Sequence, residues 1–195
     1  MSEPIGRRER KKAQTRQALA DAALRLFLDR GYDNVGVKEV ADAADVAVTT
    51  LFKHFPSKEA LVFDLDEDIE SGLVAAVCDR SPGQSIPAAL RDYVRQRVVD
   101  HAESPVTAGF LRMVEETPAL REYGRRMWMR HETALARAIA EDIGAPADDI
   151  TCAALARFAL DAGDVLHGRP DPERDVDAIF ALLTEGWTSV TDSRK

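Results

Sequence analysis

The side chains best suited to chemistry cluster in one short stretch: Thr49, Thr50, Lys53, His54 and Lys58. A threonine hydroxyl can hydrogen-bond a base edge, and its methyl can rest against thymine. Lysine and histidine can meet phosphate oxygens. A second basic group, Arg7, Arg8, Arg10, Lys11 and Lys12, lies nearer the start. It reads either as a solubilising tail or as an arm that tracks phosphates or enters the minor groove. Catalytic arrangements are missing: no GxSxG, phosphate-cradling glycine loop or HExxH occurs, and the four histidines lie singly. Asp161, Asp164 and His167 have helical spacing but no visible fourth metal ligand. Asp64, Asp66, Glu67, Asp68 and Glu70 read as a solvated acidic face. Nothing calls for a cofactor.

The elements that must position these residues are helices. Leu19, Ala22, Ala23, Leu26 and Phe27 mark one buried face, closed by Gly31 with apolar Tyr32 after it. Val37, Val40, Ala41 and Ala44 repeat the pattern, and Val48, Leu51, Phe52 and Phe55 repeat it again, with only Asp45-Val46-Ala47 between them. Two short amphipathic helices joined by so tight a turn predict a helix-turn-helix, with Thr49 and Thr50 at the exposed front of its second helix. A plain αα-corner has the same periodicity, so a structural corner stays open at this level. Pro56 stops the third helix. Ser57 is an N-cap for a long fourth helix to about Asp79, whose inward stripe is Leu61, Leu65, Ile69, Leu73 and Val77. Lys58 in its first turn opposes the helix dipole, which makes sense beside a DNA phosphate.

The stretch from about Thr15 to Leu61 closely resembles the DNA-binding domain of the tetracycline-repressor (TetR) family. Its marks are Ala22-Ala23, Leu26-Phe27, Gly31-Tyr32, Val40-Ala41, Ala44, Val46, Leu51-Phe52, His54-Phe55 and Lys58. The sequence departs from the family pattern at Gly36 (usually Ser or Thr), Asp45 (Gly), Ala47 (Ser) and Phe52 (Tyr). The resemblance implies a DNA-binding regulator in which Arg8, Lys11, Lys12, Thr49, Thr50, Lys53, His54 and Lys58 face double-stranded operator DNA. Asp45 tolerates the left-handed conformation that the turn needs.

Breakers divide the remainder into six longer helices: Ser81-Pro82-Gly83, Ser104-Pro105, Pro118, Gly144-Ala145-Pro146 and Gly168 to Pro172. The expected fold is therefore all-α with about nine helices: an N-terminal helix-turn-helix domain over residues 1–56 and a helical body over 57–195. Tyr93, Arg97, His101, Phe110, Met113, Trp128 and His131 fall on or near apolar faces. They read as bundle core or, as the resemblance implies, as the lining of a small-molecule effector site, with Arg97 and His101 as polar anchors. The last two helices carry Leu155, Phe158, Ala162 and Leu166, then Ile179, Phe180, Leu183 and Trp187. By resemblance these pair with their copies across a homodimer's two-fold axis.

Charge agrees with this division. The chain carries a net −8, yet residues 1–58 hold 11 Lys and Arg against 8 Asp and Glu, so one basic end sits on an acidic body. With no long apolar run and no apolar stretch after the N-terminal basic residues, neither a membrane span nor a secretory signal is expected. Cys78 and Cys152 read as reduced thiols of a cytoplasmic protein. The sequence reading is thus a homodimeric repressor released from a palindromic operator by a small molecule. Its rivals are a helical interaction module or small ligand-binding protein without a DNA role, an enzyme, and an activator of the same family.

Overall fold

The computed structural model describes residues 6–101, 105–166 and 169–192. Among them are nine α-helices and no strand: α1 (Arg7–Arg30), α2 (Val37–Ala43), α3 (Val48–His54), α4 (Asp66–Cys78), α5 (Ile86–His101), α6 (Pro105–Glu116), α7 (Pro118–Ile143), α8 (Ile150–Leu166) and α9 (Pro172–Asp192). Short 3-10 turns occupy Tyr32–Asn34 and Glu59–Leu61. The helices fall into two compact units, one of Met1–Asp64 with Pro105–Gly124, the other of Leu65–Ser104 with Arg125–Lys195.

In the first unit α1 buries Leu19, Ala22, Ala23 and Phe27. Gly31 ends it at φ 84°, a backbone angle that side chains disfavour, and its N–H reaches Phe27 O at 2.9 Å. Tyr32 then folds back onto the Phe27 ring, 5.1 Å away. Gly36 caps α2 without a side chain, so only half of a capping box forms: the Glu39 carboxylate accepts the Gly36 N–H at 2.9 Å. The end of α2 is a Schellman turn. Val46 N–H meets Ala41 O at 3.0 Å, Asp45 N–H meets Asp42 O at 3.2 Å, and Asp45 takes φ 54° as expected. Leu51 of α3 and Phe55 just after it close the core.

Two sequence expectations need correction here. The fourth helix does not run unbroken from Ser57. Ser57 Oγ caps only the 3-10 turn, accepting the Ala60 N–H at 3.3 Å, and α4 starts at Asp66 with Leu65 left exposed. The physical reason is the run Ala60-Leu61-Val62-Phe63. All four side chains pack in the first unit's core, and one straight helix cannot turn four consecutive residues to the same side. The boundary expected at residue 56 moves to Asp64 for the same reason, and α6 joins the first unit. Phe110, Met113 and Leu120 pack in that core, and Phe63 sits edge-on to Phe110 and stacked on Tyr123, with centroids 5.9 and 5.3 Å apart.

In the second unit Leu73 and Val77 of α4, Leu90 and Val94 of α5, Leu135 and Ile139 of α7, and Phe180 of α9 share one core with the buried stripe of α8. The buried stripe of α8 is mostly small, Ala156, Ala159 and Ala162, so neighbouring helices approach closely. Asp149 caps α8 by accepting the N–H groups of Thr151 and Cys152 at 2.9 and 3.1 Å. Arg80 joins the end of α4 to α7 through two bonds to the Asp142 carboxylate, at 2.6 and 2.7 Å.

Gly72 of α4 lies under the Tyr93 ring, where an added Cβ would come within 2.7 Å of Cε2. Helix propensity alone favours alanine over glycine by about 1 kcal/mol. Here the sign should reverse: Gly72→Ala is expected to destabilise the protein by about 1–3 kcal/mol in urea unfolding. Adding Tyr93→Leu should recover most of that loss.

Candidate nucleic-acid interface

Helix α3, the second of the helix-turn-helix, is short, and its surface divides cleanly. Leu51 is fully buried, Val48 and Thr50 are half-buried, and Thr49, Phe52 and Lys53 are exposed. Thr49, Phe52 and Lys53 therefore form one outward face of hydroxyl, ring and ammonium. Lys53 sits in the last turn, where a cation complements the helix dipole. The basic group near the start is not an extended arm. Arg8, Lys11 and Lys12 belong to the first turns of α1 and are all exposed. Helix formation carries on past the buried stripe because nothing in Arg7 to Gln14 breaks it.

His54 and Lys58 are placed differently from the exposed groups. His54 is half-buried, and its Nδ1 is buried without a hydrogen-bond partner. Burial, then the Arg16 guanidinium and the Lys12 ammonium, hold its imidazole below the ordinary histidine pKa. Lys58 turns inward. Its Nζ donates to the Tyr32 carbonyl at 2.6 Å and lies 4.0 Å from the centre of the Tyr32 ring. Burial lowers its pKa, against the pull of Asp33, Glu59 and Glu39. The Tyr32 hydroxyl donates to Glu59 at 3.1 Å, and burial followed by Glu59 pushes the phenol well above its ordinary pKa. Lys58 thus stands at the start of a 3-10 turn as a link between the end of α1 and the residues after α3, not in the open first turn of a long helix.

The residue that sequence reasoning missed is Arg16. One guanidinium nitrogen donates to His54 O at 3.0 Å and another to Asp64 O at 2.7 Å, with the group 4.5 Å above the Phe55 ring. A signal was present. Arg16 is three residues before Leu19 and seven before Ala23, so it continues the buried stripe of α1, where a charge needs a partner.

The expected effector residues do not come together. Phe110 and Met113 belong to the first unit's core. The side chain of His101 lies outside the described residues. In the second unit, the Tyr93 hydroxyl donates to Ile69 O at 3.2 Å, and Arg97 is 6.0 Å from the Tyr93 ring. His131 is fully buried, with Nε2 bonded to Asp66 at 2.7 Å and Nδ1 without a partner; Trp128 stands edge-on to it at 5.2 Å. Arg130 takes the other Asp66 oxygen at 2.6 Å, so part of the expected acidic face is an internal link. Asp161 bonds Arg157 at 2.8 Å, His167 lies outside the described residues, and among the described residues no metal-binding cluster occurs.

The dimer expectation also needs correcting in detail. Leu155, Ala162, Leu166 and Phe180 are buried within the chain's own core and offer little surface to a second copy. Ile179, Leu183 and Trp187 are half-buried against that core. Phe158 is 56 % exposed, and it is joined by Ile150, Val165 and Leu182, which sequence reasoning passed over.

Several comparisons bear on this geometry. Residues 19–65 match the family model described as bacterial regulatory proteins, tetR family. The HTH-type transcriptional regulator TcmR of Streptomyces glaucescens is 35 % identical over 152 residues, which is 74 % of this chain and 67 % of that protein. The HTH-type transcriptional repressor KstR of Rhodococcus jostii is 45 % identical over 49 residues, 25 % of this chain and 23 % of that one. NalD of Pseudomonas aeruginosa, the secondary repressor of a multidrug efflux pump, has a similar fold with a TM-score of 0.58 and 19 % identity, covering 91 % of this chain and 97 % of its own.

The inward position of Lys58 gives a test. Lys58→Met should lower the stability to urea by about 1.5–3 kcal/mol, the usual worth of a hydrogen bond to a charged group. A neutral effect on stability, with a salt dependence of DNA binding made shallower by about one ion, would instead make Lys58 a phosphate contact.

Proposed function

Because the chain belongs to the TetR family of bacterial regulatory proteins, and is by that membership a DNA-binding transcriptional regulator and not an enzyme, we propose that it acts as a homodimeric repressor released from a palindromic operator by a small molecule. The carrying observation is the outward face of α3, with Thr49, Phe52 and Lys53 exposed on a helix whose own buried residues are locked in a core. Threonines 49 and 50 read base edges, and Phe52 offers an apolar face to a thymine methyl or sugar. Lys53, Arg8, Lys11 and Lys12 supply attraction to phosphate, and half-buried His54 offers at most a neutral hydrogen bond beside them. No described helix is long and apolar enough to cross a membrane, and the proposed place of action is the cytoplasm.

Dimerisation uses the exposed side of α8 and α9. Phe158 and Val165 are seven residues apart and share a helix face; with Leu182 and Ile150 they form an apolar surface that an isologous two-fold contact would cover. The effector acts on the second unit, where Tyr93, Arg97, Trp128 and His131 lie on α5 and α7 beside α4. Buried His131, with one nitrogen unpartnered, suits a ligand with a polar group on an otherwise apolar frame. Such a ligand acts only by binding one spacing of the recognition helices better than another.

Two measurements test this reading. Selection of random duplexes by the purified protein should enrich a palindrome with half-sites about one helical turn apart, and Thr49→Ala should cost about 1–3 kcal/mol at that site while sparing scrambled DNA. Enrichment of no sequence would remove the repressor reading. Separately, Phe158→Asp with Leu182→Asp should sediment as a folded monomer and lose at least about tenfold in operator affinity, since one half-site alone remains. An unchanged dimer would place the contact elsewhere.

A further inference from the structure

Arg16 spends its charge inside the protein, on two backbone carbonyls. The first, His54 O, belongs to the last turn of α3, where carbonyls have no partner within the helix and carry the negative end of its dipole. The second, Asp64 O, is at the end of the segment that leads into α4. The guanidinium is planar and its N–H groups are fixed relative to one another, so bonding both carbonyls sets the distance and angle between them. The Phe55 ring lies against the group, 4.5 Å from its central carbon. Phe55 is in turn buried in the core next to the C-terminus of α3. Three restraints therefore meet at one side chain of α1: the end of the recognition helix, the ring that follows it, and the chain leaving toward α4.

We propose that Arg16 is a positioning residue for sequence readout, which holds α3 at the angle its base contacts require and touches no DNA itself. The inference rests on the reading of α3 as the recognition helix. Base-edge hydrogen bonds tolerate only about 0.5 Å and 10–20° of misplacement. Attraction to phosphate has no such demand, because the exposed Arg8, Lys11, Lys12 and Lys53 act over a Debye length of about 10 Å. Loss of the Arg16 clamp should therefore separate specific from non-specific binding. Lysine cannot replace it: an ammonium is a point charge on a flexible stem and lacks the planar fork that spans two carbonyls and stacks on a ring.

The experiment compares wild type, Arg16→Lys and Arg16→Met as full-length proteins. The probes are the duplex that wild type selects from a random pool and a scrambled duplex of equal length, each titrated at several salt concentrations, with thermal unfolding run in parallel. In both variants the ratio of selected to scrambled affinity should fall by at least about tenfold, the worth of one or more base contacts. Scrambled binding should stay within about threefold of wild type, with its salt slope unchanged, as it must for a residue that neutralises no phosphate. An unaltered ratio in Arg16→Lys overturns the proposal. So does a salt slope in Arg16→Met shallower by about one ion, which would make Arg16 a phosphate contact. Equal losses on both duplexes in step with a lowered melting temperature also overturn it, because they describe a merely structural residue. If Arg16→Met does not fold, Arg16→Lys alone decides. A wild type that enriches no sequence fails the repressor reading first and takes this inference with it, whereas a wild type that selects a site and a variant that keeps its preference fail the inference alone.

Discussion

A cation held against a backbone carbonyl and an aromatic face recurs at both ends of the helix-turn-helix. Arg16 meets His54 O, Asp64 O and the Phe55 ring, while Lys58 meets Tyr32 O and the Tyr32 ring. Each interaction joins parts of the chain that no helical hydrogen bond could join. Together they hold the chain at and after the C-terminus of α3, a helix of under eight residues that would not persist in water by itself. The charges of this unit thus divide by role. Arg16 and Lys58 are turned inward and give geometry; Arg8, Lys11, Lys12 and Lys53 are turned outward and remain available to a polyanion.

The same economy appears in the second unit, with carboxylates in place of cations. Asp66, the first residue of α4, gives one oxygen to buried His131 and the other to Arg130, both on α7. At the other end of α4, Arg80 bonds both Asp142 oxygens and the Val77 carbonyl. The helix that directly follows the DNA-binding segment is therefore tied to α7 at both ends by charged hydrogen bonds. A ligand that alters the His131 environment would work on one of those ties.

Membership of α6 in the first unit changes how the chain should be divided. Phe110 and Met113 are separated from Phe27 by more than eighty positions in sequence, yet they close the same core. In sequence they fit bundle core and cavity lining alike, because large flexible and aromatic side chains suit both a ligand site and a packed interior. Periodicity reports that a face is buried and is silent about which neighbour covers it.

That distinction marks what the sequence by itself determined. Gly31, Asp45, Pro56 and Pro118 placed the helix ends, and the stripes through Phe27, Val40 and Leu51 placed the helix-turn-helix, because caps, breakers and 3.6-residue periodicity act within a few residues. The exposed Thr49 and Lys53 were legible for the same reason. Tertiary structure decided the rest. Leu155 and Phe158 lie on one helix and look equally apolar in sequence, but packing within the chain buries the first and leaves the second 56 % exposed. Lys58 read as a cation set against a DNA phosphate, whereas the fold gives it the Tyr32 carbonyl and ring, and Arg16 gained its meaning only from carbonyls 38 and 48 residues away. These outcomes depend on partners distant along the chain, and only the folded arrangement brings them within hydrogen-bond reach.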